Sequence, residues 1–166
     1  PYTTLFRSSN VSSLASSSLS GLIQSQVATL SGLQTALLTT SQLNALDTNQ
    51  VGWINTTAIK SLAGSQITTL STEQVHALST DQISNLSASQ LGYFNNAKVI
   101  GMGTEQVQAL TTAQLTSLHN TLITALGSDQ VTALTTDQVG AMRQAQIAAI
   151  DLTALPGLDT TQVAAL

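Results

Sequence analysis

Few residues in this chain are of types that do chemistry, and their spacing argues against a reaction centre. The two histidines, His76 and His119, stand far apart in sequence, and there is no cysteine. A metal site needs three or four His, Cys, Asp or Glu ligands converging on one point. The serines are many, but a nucleophile needs a positioned base, and nothing marks one serine among them. Gly101-Met102-Gly103 lacks the later glycine and the strand context of a phosphate-binding loop. Asn10-Val-Ser12, Asn55-Thr-Thr57 and Asn85-Leu-Ser87 match the glycosylation sequon, a pattern that a Ser/Thr-rich chain also produces by chance. The expectation is no catalytic, cofactor-binding or metal-binding residue, and no enzyme. Trp53, Tyr93 and Phe94 remain as candidate partner-binding residues, because aromatics often anchor interfaces. The competing reading is that they fill a local widening of the core.

The elements that would position such residues come from a repeat. Counting back from Leu166 in eights, the frame runs without insertion or deletion to Arg7 and gives twenty octads. Position 8 is apolar in all twenty, position 5 in all but the octad holding Thr35, and position 4 is Gln in fourteen. A fixed period takes precedence over other sequence signals.

Each octad reads as a short helix with its own cap. In Ser71-Thr-Glu-Gln-Val-His-Ala-Leu78, Ser71 is a preferred N-cap and Gln74 completes a capping box. Leu70 and Val75 occupy the two places of a hydrophobic staple. All eight acids fall at position 1 (Asp47, Asp151, Asp159) or position 3 (Glu73, Asp81, Glu105, Asp129, Asp137). Both positions lie at a helix start, where the macrodipole favours negative charge. One continuous helix is excluded, since eight residues carry an apolar stripe about 80° beyond two full turns. A β-solenoid is the structural alternative, because Val, Ile and Thr favour strands. Against it stand an apolar spacing of three and five and too few glycines for a corner in every unit.

The predicted fold is therefore all-α: a solenoid or superhelix of about twenty short N-capped helices, its interior lined by positions 5 and 8. One octad cannot fold alone, because two buried side chains do not offset the ordering of eight residues; stacked neighbours must supply the rest. Pro156 and Gly157 predict a kink near the C-terminal end.

Composition narrows the partners. The apolar fraction of 42% is enough for a core, while the charged fraction is 7%, far below roughly 25% in an average globular protein. Four cations in 166 residues cannot build a phosphate-tracking surface, so nucleic acid is not expected as a partner. No apolar run approaches a membrane span, so no membrane insertion is expected. A protein or glycan partner stays open. Residues 1–8 resemble the translation of a sequencing adapter; they are read as an artefact or a disordered N-terminus and kept out of the fold. Residues 9–166 are read as a single octad-repeat solenoid, a fragment of a longer array with flanking domains.

The T-T-x-Q-V-x-A-L octads, such as Thr135-Thr-Asp-Gln-Val-Gly-Ala-Met142 and Gly103-Thr-Glu-Gln-Val-Gln-Ala-Leu110, resemble repeat regions of large bacterial exported, adhesin-like surface proteins. The resemblance covers essentially residues 7–166 and is specific as a repeat type. It implies a spacer or scaffold segment in an extracellular or cell-surface protein. The alternative is a binding module whose repeat surface holds a protein, a glycan or ice, the last suggested by files of threonine at positions 1 and 2.

Overall fold

The computed structural model describes residues 8–166. Pro1–Arg7, which make up nearly all of the segment set aside above, lie outside the described residues. Among those described there are eighteen short α-helices and no strand. Octads 7–14 and 151–158 form 3-10 turns instead, at Ser8–Ser13 and Leu155–Gly157. The all-α prediction thus holds over the β-solenoid, with one α-helix in each of the other eighteen octads.

Octad 79–86 shows why these residues fold as they do. Ser79 is extended (φ −69°, ψ 161°), and its hydroxyl accepts the Gln82 N–H at 3.1 Å. The Gln82 side-chain oxygen accepts the Ser79 N–H at 2.7 Å. These two bonds satisfy groups that a helix start otherwise leaves orphaned, and such a cap contributes about 1 kcal/mol. The helix Thr80–Asn85 ends at Leu86, which returns to extended backbone (φ −64°, ψ 143°). Ile83 and Leu86 are buried, each worth about 1.5–3 kcal/mol when fully covered. Leu78, just before the cap, is buried beside them in the staple position.

The described chain divides into two compact units that part between Leu86 and Ser87. Within each, a helix packs against the third one along. In the first unit Thr40–Asn44 lies on Gly64–Thr69, and Thr48–Trp53 lies on Thr72–His76; in the second, Thr112–Ser117 lies on Thr136–Ala141. Contact at this offset makes each unit a solenoid whose turn takes a little over three octads. Small residues let successive turns close up. A Cβ added at Gly52 would stand 3.1 Å from the Ala77 carbonyl oxygen, one turn on.

Octad 151–158 departs from the rule for a local reason. Pro156 lacks an N–H, and Gly157 sits where a Cβ would collide with the Thr132 hydroxyl. The 3-10 turn Leu155–Gly157 replaces the helix but keeps its place against Ser128–Thr132. The expected kink is a substituted element within the same stack.

Candidate functional site

The chemistry concentrated in this fold is the glutamine at position 4. Sequence reasoning gave it one task, the capping box; the structure gives it two. Its side-chain oxygen caps its own helix, while its Nε2 reaches carbonyls of an earlier turn. Gln50 Nε2 donates to the carbonyl oxygens of Leu19 and Leu22, both at 2.9 Å. Gln82 does the same to Val51 (3.0 Å) and Ile54 (2.6 Å). In the second unit Gln130 reaches Val99 and Met102 (both 2.8 Å), and Gln146 reaches Leu115 (2.9 Å) and Leu118 (3.0 Å). The acceptors lie 28 and 31 residues back in these four, at positions 5 and 8, whereas Gln162 reaches Thr132 and Leu134, 30 and 28 back. The position-5 carbonyl also accepts the position-8 N–H of its own octad, as Val51 does from Ile54 at 3.2 Å. One buried carboxamide thereby closes a helix start and an earlier helix end together.

Where position 1 is Ala63, Gly103, Gly127 or Arg143, no side-chain oxygen caps the helix. The reverse half of the box persists there, for example from Ala63 N–H to the Gln66 oxygen at 2.7 Å. Octads without the glutamine divide sharply. In 55–62, position 4 is Ala58, and Asn55 takes over both tasks. Its oxygen accepts the Ala58 N–H at 2.9 Å, while its Nδ2 donates to Ala28 (3.0 Å) and Leu30 (2.7 Å). In 95–102 the residue is Lys98, which is buried; desolvation holds its ammonium below the usual lysine range. In 119–126 it is Leu122, and His119 makes no side-chain cap bond. No glutamine amide then reaches Leu91 or Phe94.

No family model matches the chain, and no curated protein matches it. The reading of its surfaces therefore rests on the chain's own geometry.

The irregular octad 119–126 borders an open cleft of about 550 Å³, lined among others by Phe94, Asn95, Asn96, His119, Thr121 and Leu122. A second, of about 600 Å³, lies between Ile100, Met102, Gly103 and Thr104 on one side and Ala125, Gly127 and Asp129 on the other. Of the candidate partner-binding residues, Tyr93 is 50% exposed, whereas Phe94 is 6% exposed and contributes a wall of the first cleft. Trp53 is half-buried at the end of Thr48–Trp53, in the first unit.

Among the described residues no group of three His, Cys, Asp or Glu could hold a metal ion. His76 and His119 are both exposed. The acids cap. Asp159 accepts the Thr161 hydroxyl (2.6 Å) and the N–H groups of Thr161 and Gln162 (both 2.8 Å). The Thr161 hydroxyl, followed by the Gln162 N–H, draws its pKa below the ordinary carboxylate value. Asp151 is lowered by the Thr153 hydroxyl and N–H, and Glu73 by its own backbone N–H and then by Ser71.

Sequence reasoning missed one surface. The helix Gly32–Ala36 and its cap Leu37 expose Leu33 and Leu37, while Thr35 is fully buried. The signal was present: a threonine at position 5 flanked by leucines at position 3, polar or small in every other octad, and at position 7, where only Trp53 and Tyr93 are also large.

Proposed function

We propose that this chain is a structural repeat segment, a spacer or scaffold in a bacterial surface or secreted adhesin-like protein, with no enzymatic role. The observation that supports this reading is the glutamine ladder. Most glutamine-bearing octads carry their own means of joining an earlier turn, through bonds such as Gln138 Nε2 to Val107 (3.0 Å) and Leu110 (2.6 Å). A stack joined only to its neighbours gains or loses units without redesign of the rest. Length is then a free variable, which is what a spacer requires. The buried interior is filled by side chains, and Asp47 and Asp159 are spent on caps.

A test is to insert a block of consensus T-T-D-Q-V-T-A-L octads after Leu110 and follow unfolding by calorimetry. A spacer segment unfolds cooperatively at an equal or higher Tm. An insertion that abolishes cooperative unfolding sinks the proposal. The alternative, a binding module, draws support from the two clefts beside Phe94 and Ile100 and from half-exposed Tyr93. A glycan array on the folded chain decides between them: a specific signal lost in Tyr93→Ser favours the module, and silence favours the spacer. Ice is the weaker form of that alternative, because position-1 hydroxyls such as Thr39 and Thr111 are already committed to capping.

A further inference from the structure

The glutamine ladder passes octad 119–126 by on both sides. Toward the earlier turn, Leu122 stands where the carboxamide would be, and His119 makes no side-chain cap bond. Toward the later turn, Gln146 serves Leu115 and Leu118 from 31 and 28 residues on. At the same offsets from Ile123 and Leu126 stands Ala154. Asparagine at position 1 covers such a gap in octad 55–62, but octad 151–158 has Asp151 there. A carboxylate has no proton to donate, and the Asp151 oxygen accepts the Thr153 N–H (2.8 Å) and hydroxyl (2.6 Å). The octads around 119–126 all receive a carboxamide. Gln130 reaches Val99 and Met102, Gln138 reaches Val107 and Leu110, Gln146 reaches Leu115 and Leu118, and Gln162 reaches Leu134.

What holds octad 119–126 in place is burial. Leu122, Ile123 and Leu126 are buried, and the helix Asn120–Thr124 packs on Asn96–Ile100 and on Gln144–Ile147. Among the described residues its hydrogen bond to another turn runs from the Thr124 hydroxyl to the Ala149 carbonyl oxygen, 3.1 Å, at an exposed position. Water competes for both groups there. Both clefts border the octad as well: His119, Thr121 and Leu122 line the first, and Ala125 lines the second. Its flank toward the earlier turn is thus incompletely closed.

Stability within a fold is uneven, and segments with the fewest interlocking bonds open first. In a stack of neighbour contacts, the loss of one unit leaves the others their own. We propose that octad 119–126 is a yielding unit built into the solenoid: it comes away from both neighbouring turns while the flanking octads stay wound. Eight residues drawn out span about 28 Å, so the stack lengthens under load without unfolding as a whole. That use rests on the spacer reading; the local opening does not.

The chain has no cysteine, so one buried thiol reports the opening. Ile123 and Ile83 hold the same position in their octads, and both are 0% exposed. In native buffer a thiol reagent labels Ile123→Cys about ten-fold or more faster than Ile83→Cys, because the carboxamide links on both sides are missing. Low urea hardly changes that rate, since a local opening exposes little surface. Adding Leu122→Gln to Ile123→Cys restores the link to Leu91 and Phe94 and slows the labelling. Hydrogen exchange of the unaltered chain needs no substitution: peptides from 119–126 exchange ahead of those from 127–134. Equal labelling of the two thiols, or equal exchange of the two octads, overturns the proposal. So does undiminished labelling of the double variant, or labelling of Ile123→Cys that climbs with urea as steeply as global unfolding does. The octad-insertion experiment is independent of these: its failure sinks the spacer, and theirs sinks the yielding unit.

Discussion

Octads 55–62 and 119–126 both lack the position-4 glutamine, and they are not equivalent. In the first, Asn55 replaces the missing carboxamide by its own, one residue type and three positions removed, and reaches Ala28 and Leu30 while capping Ala58. In the second, Leu122 fills the space and His119 leaves the helix start without a side-chain cap. The difference shows that a carboxamide at position 1 can do the work of glutamine at position 4, and that a helix still forms where neither is present. It also locates the weak rung, at Leu91 and Phe94, beside the first cleft.

The sharpest way to break this contrast is to turn a regular octad into a copy of the weak one. Gln82→Leu strips one acceptor from Ser79 N–H and one donor from Val51 and Ile54. Buried groups left unpaired cost about 1–3 kcal/mol each, so a loss of about 3 kcal/mol is expected in urea unfolding. Asn55→Ala follows, at about 2 kcal/mol, since it removes a cap and two bonds to an earlier turn. His119→Ala, its counterpart, should change stability by less than about 0.5 kcal/mol, as surface substitutions outside such networks do. Equal effects of the two alanine variants would erase the distinction.

Two substitutions sharpen the contrast from the other side. Leu122→Gln puts a polar group where leucine is buried and is nonetheless expected to stabilise, by about 1 kcal/mol, by restoring the bonds to Leu91 and Phe94. A melting temperature that falls shows that the rung has relaxed around leucine. Thr35→Val keeps the side-chain shape and removes a buried hydroxyl with no partner; a gain of about 1 kcal/mol is expected. Smallest is the effect of pH. The carboxyls of Asp151, Asp159 and Glu73 have folded pKa values below their ordinary ones. Their contribution is therefore complete above the ordinary carboxylate range and fades as pH falls through the depressed values. Asp159→Asn should flatten the acid limb of a Tm-against-pH profile slightly.

The helices were legible in the sequence because capping is local. Ser79, Gln82, Leu78 and Ile83 each announce their role within five residues. The second task of the glutamine was not legible. Its acceptors lie 28 and 31 residues back, and that offset depends on how many octads make a turn, a quantity set by packing such as that of Gly52 on Ala77. Once capping accounted for position 4, nothing in the pattern called for a further partner. Octad 31–38 was half visible. Thr35 broke the rule at position 5, but only the close approach of Gly32 to Ser61 shows that its leucines must face outward.

The direction of the ladder has a consequence for biosynthesis. Each carboxamide donates to carbonyls nearer the N-terminus, as Gln42 does to Val11 and Leu14. A segment leaving the ribosome thus finds its acceptors already synthesised. The ladder can then close in the order in which the chain is translated.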